Sequence, residues 1–125
     1  MSKTIMIVDD SKSVRAVIGM TLKMAGYDTV IAEDGQQALD YMTDENNQKI
    51  DLIVTDVNMP NMDGITLIKE LKKIKEFSTI PVCILTTETE QEKMDQESDG
   101  LNDAWIMKPV QPAHVLDIVG GLLDK

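Results

Sequence analysis

Five polar side chains stand at the ends of short apolar runs: Asp9 and Asp10 follow residues 4–8, Asp56 follows 52–55, Thr86 follows 82–85 and Lys108 follows 104–107. Three carboxylates brought into one crevice would repel one another, and a hard divalent cation relieves that repulsion. Mg2+ suits the role, because it takes one or two carboxylates and keeps its other positions for water or phosphate oxygens. Lys108 would then meet the same phosphate as a point charge, and the Thr86 hydroxyl could donate to another of its oxygens. Each residue also has a plainer reading. An aspartate just after a strand commonly caps the next helix, a role open to either Asp9 or Asp10. Thr87 with Glu90 and Thr89 with Glu92 match capping boxes, so Thr86 and Thr87 could be caps, and Lys108 before Pro109 could be an exposed turn lysine. Singly these are weak signals; at the ends of successive runs, in this order, they form a specific set.

For these residues to converge, the runs must be neighbouring parallel strands. Residues 4–8, 29–32, 52–55, 82–85 and 104–107 are short and largely apolar, as buried parallel strands are. Between them lie helical stripes: Val14, Val17, Ile18, Thr21, Leu22 and Ala25; then Ala38, Leu39 and Met42; then Ile65, Ile68, Leu71 and Ile74; and last Val115, Ile118, Val119 and Leu122. Gly26 closes the first helix, Asp34 with Gln37 makes a capping box for the second, and Pro112 falls in a first turn. The pattern predicts an α/β fold: a flavodoxin-like, doubly wound, five-stranded parallel sheet of order 2-1-3-4-5 with five helices. That order sets strands one and three side by side, at the carboxyl edge where such sheets bind ligands. Residues 89–100 have Met94 as their only large apolar side chain, so the fourth helix has little to bury and is expected to be held weakly.

Composition narrows the partners. The chain has 125 residues, with 22 acidic against 12 basic side chains and a net charge of −10, which excludes a phosphate-tracking nucleic-acid surface and an anionic membrane. At this length one small domain with a single core is expected. A lone Cys83 in an apolar stretch leaves no internal disulfide or cysteine zinc cluster, reads as a buried small hydrophobe, and fits a reducing, cytoplasmic setting. Residues 5–8 are too short an apolar run for a signal peptide or a membrane span. The single histidine, His114, excludes a histidine-rich metal site. Much of the acidity is local: residues 86–103 carry seven acids and one lysine.

Taken together, the pair Asp9-Asp10, the stretch Asp56-Val57-Asn58-Met59-Pro60-Asn61-Met62-Asp63-Gly64, the Thr86 position and the pair Lys108-Pro109 resemble the response-regulator receiver domain, and within it the CheY-like single-domain chemotaxis regulators. The resemblance covers essentially the whole chain and implies one monomeric receiver domain over residues 1–125 with no output domain, not an enzyme but a phosphoacceptor signalling domain that catalyses its own phosphorylation and dephosphorylation. It implies that Asp56 is the phosphoacceptor, taking a phosphoryl group from a phosphohistidine on a partner histidine kinase. Asp9, Asp10, Asp56 and the backbone carbonyl of Asn58 would hold Mg2+, directly or through water, and Lys108 would bind the phosphoryl oxygens. Thr86 would swing to the aspartyl phosphate and vacate space for Trp105, the switch aromatic, which could equally be a half-buried core ring. The Lys108-Pro109 bond would be cis. Asn58 and Glu88 would tune how fast water removes the phosphoryl group. An output protein, with the flagellar motor switch as one possibility, would read the face made by the fourth helix, the fifth strand and the fifth helix; a phosphatase is a further implied partner.

Several positions depart from the family pattern. Thr87 replaces a small residue after Thr86, Val110 replaces the phenylalanine that often follows Lys-Pro, and Leu101-Asn102-Asp103 replaces a small-residue turn before the fifth strand. Motor-binding relatives usually offer lysines on the output face, whereas the fourth and fifth helices here supply Lys93, His114 and Lys125; this points to a different partner surface. The alternatives are a non-motor phosphorelay intermediate or phosphate sink, and a constitutive receiver-like binding module. A haloacid-dehalogenase-type phosphatase needs a second aspartate where Asn58 stands. A flavodoxin would need neutral phosphate donors where the first loop is acidic.

Overall fold

The computed structural model describes residues 3–87 and 102–123. The five expected strands are β1 (Thr4–Val8), β2 (Asp28–Ala32), β3 (Leu52–Asp56), β4 (Val82–Thr86) and β5 (Ala104–Met107), all parallel, in the order β2-β1-β3-β4-β5. This is the flavodoxin-like arrangement read from the sequence. The helices are α1 (Lys12–Met24), α2 (Gly35–Thr43), α3 (Gly64–Lys72) and α4 (Pro112–Leu123), with a 3-10 turn at Lys75–Phe77. The α4 label thus belongs to the last helix of the chain. The helix expected over residues 89–100 lies outside the described residues, as does Glu88.

Strand alternation divides the core in two. Met6, Val8, Ile53 and Ile84 point to one face and pack with α2 and α3; Ile5, Ile7, Leu52, Val54 and Leu85 point to the other and pack with α1 and α4. β1, β3 and β4 are buried along their whole length, which is why they read as unbroken apolar runs rather than alternating ones. Each fully buried Ile or Leu contributes about 2–3 kcal/mol of transfer free energy. Cys83 lies among these residues, and burial pushes its thiol up to about 12.

The helix stripes hold except at three positions: Val17 and Ala25 are exposed, and Ile74 lies beyond the end of α3. α1 buries Ile18 and Leu22 while Val17 is 45% exposed beside Met20 and Met24, because at 3.6 residues per turn the contact line runs through positions 14, 18 and 22. Gly26 closes α1 in the left-handed region at φ +96°, where its N–H donates to the Lys23 carbonyl. Asp34 caps α2 by accepting from Gln37 N at 2.8 Å, and the Gln37 side chain returns to Glu33 N at 3.0 Å, one residue before the cap. Asp103 ties the starts of β4 and β5 together: Val82 N donates to its carboxylate and its own N–H donates to the Val82 carbonyl, both at 2.8 Å.

The tightest fit in the fold is at the start of α3. A Cβ on Gly64 would run into the carbonyl oxygen of Asp56, while the Gly64 N–H donates to the Val57 carbonyl at 2.9 Å. The loop after β3 therefore folds back onto its own strand end, and only glycine leaves room for it. Gly64→Ala is expected to destabilise the protein by on the order of 3 kcal/mol, read as a lower urea midpoint with an unchanged slope. A midpoint equal to that of the wild type would show that the loop yields freely.

Candidate functional site

The shared carboxyl edge of the sheet assembles the site. Val8 and Thr55 are register partners in β1 and β3, so Asp9 and Asp56 are the next residues on adjacent strands. Asp10 turns in from the same loop, and one carboxylate oxygen from each of the three aspartates lies within 4.8 Å of the others. Asp9 is fully buried, Asp56 nearly so, and Asp10 is exposed. Lys108 follows β5, two strands from β3 and so roughly 10 Å across the sheet, a span that a long flexible side chain can bridge. Its backbone is set by Lys108 N donating to the Thr86 carbonyl at 2.8 Å, and its Nζ donates to Asp56 Oδ1 at 3.0 Å and stands 4.0 Å from Asp9 Oδ2. The following Lys108-Pro109 bond is cis.

The electrostatics are deliberately incomplete. Asp56 Oδ1 accepts from Val57 N at 2.8 Å as well as from Lys108. Asp9 Oδ1 accepts from Ser11 N at 2.7 Å, but Asp9 Oδ2 is the one buried side-chain oxygen or nitrogen among the described residues with no hydrogen-bond partner. Burial raises the Asp9 carboxyl above its ordinary value, the charges of Asp56 and Asp10 add to that, and the Ser11 N–H and Lys108 pull against it. An all-oxygen donor set with an orphaned buried oxygen suits a small, hard divalent cation. Arg15, which sequence reasoning passed over, donates from Nη1 to the Asp9 carbonyl at 2.7 Å and so places a further positive charge behind the cluster.

The cap of α1 is Ser11, whose hydroxyl accepts from Val14 N, so neither Asp9 nor Asp10 takes the capping role left open to them. The strand carries one residue past its ladder, which uses Asp9 as an acceptor for Ser11 N and moves the helix start to Lys12. Asn58 is exposed in the loop two residues beyond Asp56. Thr86 ends β4 fully buried, and its hydroxyl donates to the Thr87 carbonyl at 3.0 Å. By alternation Thr86 shares the α2–α3 face of the sheet with Ile84, whose register partner Trp105 packs half-buried against the core on that side. Asp9, Asp56 and Lys108 have the parity of the opposite face, whereas Asp10, one residue beyond Asp9, does not. His114 is exposed on α4.

In the metal-free protein the buried Asp9 charge works against folding, so Asp9→Asn is expected to raise the thermal midpoint at neutral pH. The sign follows from the raised carboxyl: the penalty is full above its folded value and disappears as pH falls toward the ordinary carboxylate range of about 4. The gap between the two proteins therefore narrows on acidification, and divalent cation closes it from the other side by stabilising only the wild type. Calorimetric scans with and without chelator check this; a variant less stable than metal-free wild type would refute it.

The geometry has close counterparts. A family model for the response regulator receiver domain matches residues 5–120. A chemotaxis protein CheY homolog of Campylobacter jejuni is 36% identical over 110 residues, which is 86% of this chain and 82% of that protein. Chemotaxis protein CheY1 of Helicobacter pylori is 34% identical over 125 residues, covering 96% of this chain and 98% of its own. Among solved structures, the chemotaxis response regulator CheY4 of Vibrio cholerae aligns with a TM-score of 0.88 at 34% identity over 98% of this chain and all of that one. The family match runs from β1 through most of α4 and encloses every strand end that supplies the acidic cluster and its lysine, and the chain belongs to the response regulator receiver domains.

Proposed function

We propose that this chain is a phosphorylation-controlled switch in which Asp56 accepts a phosphoryl group from a phosphohistidine of a partner histidine kinase. The observation that carries the reading is the meeting of three carboxylates within 4.8 Å with an ammonium 3.0 Å from one of them. An Asp56 oxygen attacks phosphorus, the P–N bond to the imidazole breaks, and the imidazole leaves with the bonding pair and takes up a proton. Asp56 needs no general base, since a carboxylate is already the nucleophile; what it needs is charge neutralisation and alignment. Mg2+, held by Asp9, Asp10, Asp56 and the Asn58 carbonyl, supplies the former when bound, as a Lewis acid toward the phosphoryl oxygens. Lys108 exchanges its carboxylate partner for a phosphoryl oxygen.

Readout follows from the two faces of the sheet. Thr86 turns its hydroxyl from the Thr87 carbonyl toward the phosphoryl group, and Trp105, its diagonal neighbour on the same face, takes up the space released. The output partner reads residues 89–100, β5 and α4, and Asn58 with Glu88 sets the lifetime of the phosphorylated state. The full-length chemotaxis relatives favour chemotaxis as the setting. A second reading, a phosphate sink or non-motor relay, is favoured by the output face: Lys93, His114 and Lys125 are the only basic or imidazole side chains in residues 89–100 and 111–125.

Incubation with Mg2+ and acetyl phosphate should add the mass of one phosphoryl group and change the fluorescence of the single tryptophan. Both effects should vanish in Asp56→Asn and with chelator, while Lys108→Ala should slow the addition by on the order of a hundredfold. Absence of any modification of the wild type at all Mg2+ concentrations would favour the constitutive binding module instead.

A further inference from the structure

The loop that leaves Asp56 is held by a second helix as well as by its own ends. Asn61 stands in the left-handed region at φ +67°, and its Nδ2 donates to Asp34 Oδ2 at 2.8 Å. The other oxygen of Asp34 caps α2 through Gln37 N, so one buried carboxylate serves helix and loop at once. Next to it, Gly35 N donates to the Met62 carbonyl at 3.1 Å, and a Cβ on Gly35 would lie 2.6 Å from that same oxygen. The start of α2 and the loop after β3 therefore touch with no slack between them. The other side of this contact reaches the acidic cluster: Asp9 N donates to the Ala32 carbonyl at 3.1 Å, and Arg15 bonds the Asp9 carbonyl while standing 4.0 Å from Glu33. Three successive strand ends are thus joined through the start of α2 into one hydrogen-bonded rim.

We propose that Asp34 and Asn61 are positioning residues for the cation site: their bond sets the course of residues 57–61, and with it where the Asn58 carbonyl stands relative to Asp9, Asp10 and Asp56. Neither side chain touches the cation. Asp34 is suited to the task because both its oxygens are engaged, and the Gln37 N–H and the Asn61 amide hold its carboxyl below the usual carboxylate range, keeping it an acceptor at any neutral pH. The inference rests on the phosphorylation reading above and extends it to a pair outside the cluster.

Asn61→Gly keeps the left-handed backbone and deletes only the donor. Mg2+ affinity measured by titration calorimetry should fall on the order of tenfold, and the initial rate with acetyl phosphate at subsaturating Mg2+ should fall with it, while the urea midpoint changes little. Asn61→Asp keeps a side chain that tolerates the left-handed region but sets a carboxylate against the Asp34 carboxylate, and should weaken Mg2+ to a similar degree. The exchanged pair, Asp34→Asn with Asn61→Asp, restores a donor facing an acceptor and should recover most of the loss, which a merely structural role for either residue would not produce. Asn61→Gly binding Mg2+ as tightly as wild type, or an exchanged pair no better than Asn61→Asp, would overturn the proposal while leaving the phosphorylation reading intact. A wild type that binds no Mg2+ would overturn both.

Discussion

Burying like charges side by side is the constraint around which this molecule is built. Asp9 is fully enclosed and Asp56 nearly so, on adjacent strands, with a third carboxylate turned toward them. Such a cluster survives in a folded protein only if the surroundings supply opposing dipoles and charges. The strand ends do so with the N–H groups of Ser11 and Val57, the ammonium of Lys108 and the guanidinium of Arg15 behind the backbone. The compensation stops short of Asp9 Oδ2. A cluster satisfied in full would be a salt-bridge network that stabilises the fold; this one leaves a buried carboxylate oxygen without a hydrogen bond.

The parallel sheet is what makes that arrangement affordable. A hydrophobic core on each face fixes β1, β3 and β4 so firmly that their last residues can be spent on repulsive contacts. The same alternation separates two tasks. Asp9, Asp56 and Lys108 fall with the parity of the α1–α4 face, Thr86 and Trp105 with that of the α2–α3 face.

The elements were legible because they obey short-range rules. Unbroken apolar runs of strand length identify parallel strands, and stripes at three and four residues identify the helices between them. Strand order then followed from handedness, and the convergence of Asp9, Asp10, Asp56 and Lys108 followed from strand order. What escaped were interactions in which neither partner is distinctive in the chain. Ser11 rather than an aspartate caps α1, which depends on one extra extended residue. Asp34 and Asn61 lie far apart in sequence, and an aspartate already explained as a cap gives no sign that its second oxygen has another use. Arg15 reads as an ordinary helix-surface arginine until its reach to a backbone carbonyl is seen. Gly64 was visible as part of a motif, but the close approach to the Asp56 carbonyl that demands it is a fact of three dimensions.

The burial of Cys83 bears on how the molecule can be handled. With its thiol pushed up to about 12 and no exposed surface, it carries almost no thiolate at neutral pH and offers a maleimide nothing to attack while the protein is folded. A cysteine introduced on the surface would thus be a unique chemical address in an otherwise native background. Dyes or spin labels could be placed beside the tryptophan or along the last helix, and reactivity of Cys83 itself would serve as a built-in clock for global opening of the sheet.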